Sequence, residues 1–391
     1  MDYLIREFGA IGNEVSFDTN AIQQAIDKCA ASGGGRVVVE PGVYLTKTIY
    51  LRSHVELHLC AGSKLLGSTV PDDYDNFTAK GFMKPEAAPE GNTKCLICAS
   101  NAKNIAITGT GEINGAGPTF YDTDITDDHK FYSKLDIARP RMILFYRCRN
   151  IRIQDTSFID SPLWTMWLVA CEDVNINRVK VIGDQKMINN DGIDIDSCQN
   201  VTISDSFLKT GDDCIILRAI QQPQEKYVIC ERVTVTNCVL NSYCQGIRVG
   251  CPNDSIIRNC IFSNLVIDGD GNGIVFENPQ RYFKATRSGR LDIHNIMFSN
   301  ITITSDGYPI CINVEEGIKL RRLSGITFSD IRIKSTKPIT LTGCEDTFIE
   351  DIRLSNIQVE TRTNTPIILS HCRKLVMNNV ELTTKTEVNI K

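Results

Sequence analysis

Short runs in which apolar and polar residues alternate recur along most of the chain, and few folds can use them. The series opens with Asn104-Ile-Ala-Ile-Thr, Asn150-Ile-Arg-Ile-Gln, Asp173-Val-Asn-Ile-Asn, Asn200-Val-Thr-Ile-Ser and Arg232-Val-Thr-Val-Thr. It continues with Asn295-Ile-Met-Phe-Ser, Gly325-Ile-Thr-Phe-Ser, Glu350-Asp-Ile-Arg-Leu and Lys374-Leu-Val-Met-Asn. A period of two and the β-branched content make each run a strand. Many neighbouring starts lie roughly 23 to 32 residues apart, the spacing of solenoid repeats. Helical stretches between the runs are missing, which argues against an alternating βαβ sheet. Asn-Gly hairpin turns are scarce. Parallel strands joined by short turns leave a parallel β-helix, in which each coil buries its apolar face only against its neighbours.

Asn104, Asn150, Asn200, Asn264, Asn300 and Asn356 stand at turn positions. Asparagine tolerates the left-handed conformation such turns need, and stacked coils would align these amides as ladders. The beginning differs. From Thr19 to Ala30 the apolar residues fall at helical spacing, with Asp18 or Thr19 as N-cap and Ser32-Gly33-Gly34-Gly35 as a stop. A solenoid needs a cap over the open end of its core, and this helix supplies one. Strands Arg36 to Glu40 and Val55 to Leu59 then open the stack. The expectation is an all-β chain forming one domain over residues 1–391, with a cap to about 35 and coils from about 36 to 385.

The formal charge of −5 gives nucleic acid no electrostatic footprint. No apolar run approaches membrane-span length. Met1-Asp-Tyr-Leu-Ile-Arg-Glu-Phe lacks the basic start and apolar core of a signal peptide, so the chain is expected in the cytoplasm as written, or in the periplasm or outside if it is a trimmed mature form. Sixteen cysteines are spread thinly, and Cys148, Cys171, Cys198, Cys214, Cys238, Cys260, Cys344 and Cys372 fall in or beside the repeats, where a small apolar side chain packs well. Cys95 and Cys98 have redox-motif spacing but lie in a strand, and the five histidines are dispersed. No zinc constellation is visible and no cofactor is signalled.

The acidic residues are a different matter. Asn189-Asn190-Asp191-Gly192 and Gly211-Asp212-Asp213-Cys214 lie 21 to 22 residues apart, close to one coil, so the repeat brings carboxylates of like charge together. Asn189-Asn190-Asp191-Gly192-Ile193-Asp194-Ile195 with Thr210-Gly211-Asp212-Asp213-Cys214-Ile215 resembles the signature of polygalacturonase-like enzymes, glycoside hydrolase family 28. Arg139-Pro140-Arg141 leading into Cys148-Arg149-Asn150-Ile151, Ser161-Pro162-Leu163-Trp164 and Gly115-Ala116-Gly117 resemble further segments of that family, and together the matches cover roughly residues 5 to 380. The resemblance implies a right-handed parallel β-helix, an inverting hydrolase that needs no cofactor, and a pectic carbohydrate partner. By position, Asp212 looks like the general acid, and Asp191 and Asp213 like the pair that holds and deprotonates the attacking water. Asn189 would be a supporting or sugar-binding amide.

Two departures bear on the substrate. Where family members acting on galacturonan carry Gly-His-Gly, this chain reads Cys244-Gln245-Gly246. Where they carry Arg-Ile-Lys after Gly-Ile, Gly273-Ile274 is followed by Val275-Phe276-Glu277. The family's Arg and Lys grip a uronate carboxylate, and Glu277 reverses that charge. Arg248 alternates with Ile247 and Val249, so it should point outward beside Gln245 and compensate. Arg218 and Arg281 are further candidates for substrate contact. The expected substrate is therefore a galacturonic-acid-containing pectic linkage other than ordinary polygalacturonan, of rhamnogalacturonan or side-chain type. The stretch Phe120 to Arg139, with Tyr121, Asp122, Asp124, Asp127, Asp128 and Tyr132, reads as an inserted loop that shapes a cleft or stays solvated. Alternation puts Trp164 and Trp167 on opposite faces, so one of them is expected exposed as a sugar-stacking platform. Pectate-lyase-like elimination and a non-catalytic carbohydrate-binding β-helix are the rival readings.

Overall fold

The computed structural model describes residues 1–124, 131–223, 228–283 and 285–384. Contacts divide the chain into two compact units, residues 1–212 with 222–225 and residues 213–221 with 226–391. No helix among the described residues is long and apolar enough to cross a membrane.

The first unit opens with strand Asp2–Leu4, which pairs in parallel with Gly35–Val39, and strand Asn13–Phe17, followed by helix α1, Thr19–Ala31, whose buried face is Ala21, Ile22, Ala25, Ile26 and Cys29. Asp18 occupies the N-cap position without capping through its side chain. Its carboxylate instead accepts from the backbone N–H groups of Ile11 (2.6 Å) and Gly12 (3.1 Å), pinning the preceding turn. Behind the helix, parallel strands stack rung on rung. Ile151 pairs in register with Ile105 and Val174, and Val174 with Val201. All four point inward and are buried, whereas Arg152 and Thr202, one residue further on, are exposed. A second sheet stacks Ile143, Met166 and Ile193, and a third row runs through Phe158, Val181 and Leu208. Residues 68–94 leave this plan in an irregular excursion with three short 3-10 turns at Pro71–Asp73, Pro85–Ala87 and Pro89–Gly91.

The second unit repeats the plan with longer strands. Strands Ile256–Gly269, Asp292–Ser305 and Arg322–Ser335 pair in parallel over nearly their whole length. Their inward residues include Phe262, Phe298 and Phe328, whose rings stack at centroid separations of 4.8 and 5.0 Å. The corners of both units are the asparagine turns. Asn104, Asn150, Asn200, Asn264, Asn300 and Asn356 all have φ between 53° and 57°. Their amides form ladders: Asn150 donates to Asn104 (2.7 Å), Asn300 to Asn264 (2.8 Å) and Asn379 to Asn356 (3.0 Å). An amide that bonds to the next rung lowers the cost of its own left-handed backbone.

All sixteen cysteines are free thiols, most of them buried. Cys95 and Cys98 share one buried strand, Cys95–Ser100. Cys171 and Cys198 occupy equivalent positions on successive coils, and each thiol donates to backbone carbonyls (Cys171 to Phe145 and Val169, Cys198 to Leu168 and Asp196).

Candidate active site

In the first unit the segment before strand Ile193–Asp196 is built around two asparagines. Asn190 is buried, and its side chain donates to the Asp184 carbonyl (2.9 Å). Its Oδ1 accepts from the N–H groups of Gly211 (2.7 Å) and Asp212 (3.0 Å), so one amide ties the two acidic segments together. Position 211 must be glycine here, because a Cβ would lie 2.3 Å from the Met187 carbonyl oxygen. Asn189 has a left-handed backbone (φ 62°), and its N–H donates to Asp212 Oδ2 (3.1 Å). Asp191 is buried, and its carbonyl accepts from the Thr165 N–H (2.8 Å).

Around them, Arg139 is almost fully buried and donates to the Ile188 carbonyl (2.8 Å), Asn189 Oδ1 (3.0 Å) and Glu90 Oε2 (3.2 Å). The sugar-binding role expected of Asn189 therefore meets a side chain already engaged by Arg139. Glu90 belongs to the 68–94 excursion, and Lys134 also reaches it (3.1 Å). Lys134 comes from the inserted stretch, which is in part a hairpin pairing Tyr121–Asp122 with Ser133–Lys134. Tyr132 donates to Asp184 Oδ2 (2.9 Å), while Asp127 and Asp128 lie outside the described residues. Burial pushes the Tyr121 hydroxyl up to about 12, against the pull of Arg139, and the charges of Asp212 and Asp191 add to the rise.

In the second unit Asp213 is fully buried and pairs with Arg248 Nη1 (2.8 Å). Arg248 stands between the inward Ile247 and Val249 and points out of the core, as alternation predicts. It also meets Glu277 (3.4 Å), which sits two residues along the next rung from Val275, the register partner of Arg248. With its amide oriented to suit both neighbours, Gln245 donates to Asp213 Oδ1 (3.0 Å) and accepts from Arg248. Gln245, Arg248 and Glu277 thus form one network with Asp213. Arg218, the last residue of strand Ile215–Arg218, is buried and donates to the Cys251 carbonyl (2.7 Å). Arg281 is exposed and stacks on Tyr282.

The model of glycosyl hydrolases family 28 matches residues 55–391. The chain belongs to that family. A probable polygalacturonase of Arabidopsis thaliana is 23% identical over 367 residues, covering 85% of this chain and 73% of the relative. A probable polygalacturonase of Vitis vinifera is 28% identical over 219 residues, covering 54% of this chain and 43% of the relative. An exopolygalacturonase of Thermotoga maritima superposes with a TM-score of 0.81 at 21% identity, covering 98% of this chain and 92% of the other. The family 28 fold is a right-handed parallel β-helix, and this chain is a glycoside hydrolase built on it.

Within that family 28 frame one expectation needs correcting. Neither Trp164 nor Trp167 is exposed; both are at most 4% accessible, and their rings meet edge-on. The reason is Arg141, itself fully buried, whose guanidinium lies over both rings at 5.0 and 4.7 Å. Arg141 donates to the carbonyls of Asn92 and Pro89 (2.7 Å each), so the tryptophans anchor the 68–94 excursion and present no platform to a sugar. Burial pulls Arg141 down to about 10 against the raising charges of Cys95, Asp194, Glu90 and Asp191, and it stays cationic near neutrality. Glu90 was not among the residues the sequence singled out, although Pro71, Pro85, Pro89 and Gly91 mark its segment as irregular.

Proposed function

We propose that this glycoside hydrolase cleaves, with inversion, a glycosidic bond in a pectic poly- or oligosaccharide, and that ordinary polygalacturonan is a poor substrate for it. Asp212 is the acid that protonates the departing oxygen, and Asp191 and Asp213 hold and deprotonate the attacking water. Inversion asks for an acid on one face of the sugar and a base on the other. Membership of family 28 supports the reaction, and the relatives named polygalacturonases support pectin as the polymer.

The narrower claim on substrate rests on one observation, the state of Arg248. Its guanidinium is committed to Asp213, Glu277 and Gln245, so it presents no open fork to a sugar carboxylate. Two carboxylates, those of Asp213 and Glu277, already face that guanidinium. A uronate brought there is repelled, whereas an uncharged sugar meets no such penalty. A rhamnogalacturonan-type or side-chain linkage satisfies that condition within pectin.

Mass spectrometry of products from homogalacturonan, rhamnogalacturonan and branched fragments tests the reading. Products equal to substrate plus one water are expected from the latter two, with homogalacturonan nearly untouched. Rapid, complete breakdown of homogalacturonan would overturn the substrate claim. Unsaturated products without added water would overturn hydrolysis. The first-formed anomer, followed by proton NMR, decides inversion.

A further inference from the structure

We infer that Arg139 is a positioning residue for the acid: it orients and polarises the peptide unit between Ile188 and Asn189, whose N–H holds Asp212. The inference rests on the reading of Asp212 given above. The carbonyl of that peptide is Ile188 O and its N–H is that of Asn189, so the two ends belong to one planar unit. At the carbonyl end Arg139 donates at 2.8 Å, and the Tyr121 hydroxyl stands at 2.5 Å. At the other end the N–H donates to Asp212 Oδ2 at 3.1 Å. A cation on the carbonyl pulls electron density through the amide and makes its N–H a better donor, because hydrogen bonds in series reinforce one another in a dry interior.

Arg139 also fixes the residue that follows. Its second nitrogen holds Asn189 Oδ1 (3.0 Å), and Asn189 carries a left-handed backbone that aims the N–H at the carboxyl. Such a conformation persists where its surroundings hold it. Tyr121 accepts from Arg139 and lies under its guanidinium at 5.2 Å, which keeps the fork in plane. Glu90 balances the charge of Arg139 at 3.2 Å. The consequence for chemistry is specific. An oxygen that accepts from an N–H is the wrong oxygen to carry the proton, so the Asn189 amide assigns the proton of Asp212 to Oδ1. That proton then passes to the glycosidic oxygen as the bond to the sugar breaks.

The test compares Arg139→Gln, Arg139→Lys and Asp212→Asn, in the full chain, on two substrates. One is the pectic oligosaccharide that the enzyme hydrolyses. The other is the 4-nitrophenyl glycoside of the same sugar, whose leaving group departs without a proton. Asp212→Asn should lose the oligosaccharide and keep most of the nitrophenyl substrate. Arg139→Gln should lose roughly 10- to 100-fold in kcat on the oligosaccharide with KM little changed, and under about 3-fold on the nitrophenyl glycoside. Arg139→Lys, which still reaches the Ile188 carbonyl, should recover part of the loss. Equal loss on both substrates, in a variant that melts like the parent, would overturn the positioning role. An Asp212→Asn variant that loses both equally would overturn the acid assignment, and the inference with it. Should Arg139→Gln not fold, Tyr121→Phe removes a partner of the same carbonyl without a charge. It should give the same leaving-group dependence at smaller size, and a uniform loss would overturn the proposal.

Discussion

Single residues here decide by charge as much as by shape. Glu277→Lys makes the case at the substrate end. It replaces the second carboxylate partner of Arg248 with a cation, so relative activity on polygalacturonate should rise about tenfold, a gain of roughly 1.4 kcal/mol in transition-state binding. The ratio of kcat/KM values on polygalacturonate and the preferred pectic fragment reads this directly, and an unchanged ratio would remove Glu277 from substrate selection. Arg141→Met addresses stability instead. It leaves the buried carbonyls of Asn92 and Pro89 without their donor, so about 2–4 kcal/mol should be lost, seen as a lower denaturant midpoint. These sites were only partly legible in the sequence. Asp191, Asp212 and Asp213 announce themselves by spacing, and Arg248 by alternation with two apolar neighbours. Trp164 and Trp167, one of which was expected at the surface, misled because alternation says which way a side chain leaves a strand and nothing about what lies on top of it. The 68–94 excursion covers the tryptophans, and no local pattern gives its path.

At the scale of strands and turns, the asparagine ladders separate two contributions that a single substitution usually merges. Asn300→Ala loses the bond to Asn264 and forces alanine into a left-handed backbone, for a cost of about 2–3 kcal/mol. Asn300→Gly loses only the bond, so it should cost about 1 kcal/mol in equilibrium unfolding. Equal costs would mean that the turn conformation carries no penalty. Adjacent strands also carry an acid-sensitive cluster. Burial alone would raise the Asp292 carboxyl, but Arg322, which holds both its oxygens at 2.8 Å, and His294 keep it below the usual carboxylate range. Burial depresses His294 in spite of Asp292. Both folded values lie below their unfolded ones, so both contributions are complete at neutral pH and shrink on acidification. His294 acts first, below about pH 6.5, and Asp292 below about pH 4. Melting temperature should fall with pH through both windows, and Asp292→Asn should flatten the lower one. The strands themselves were legible because Ile151, Val174 and Val201 repeat one alternation in register, whereas Asp18 was legible only as a cap. Its use by the amides of Ile11 and Gly12 depends on a turn the helix pattern does not encode.

For the molecule as a whole, the sixteen free thiols mean that stability owes nothing to cross-links. The thermal transition should be the same with and without a strong reductant, and a reductant-dependent shift would reveal a disulfide the fold does not need. The same independence appears in the rungs. Ladder partners are 46 residues apart at Asn104 and Asn150 but only 23 apart at Asn356 and Asn379, with amide bonds of 2.7 and 3.0 Å. Whatever the chain does between two such partners, it returns to the same seat. The asparagine corners therefore work as sockets, into which segments of quite different length can be plugged without disturbing the rungs on either side. Lengthening an exposed turn between two ladder partners, away from the contacts of Tyr121 and Arg139, is then a modular operation that should leave the melting point where it is.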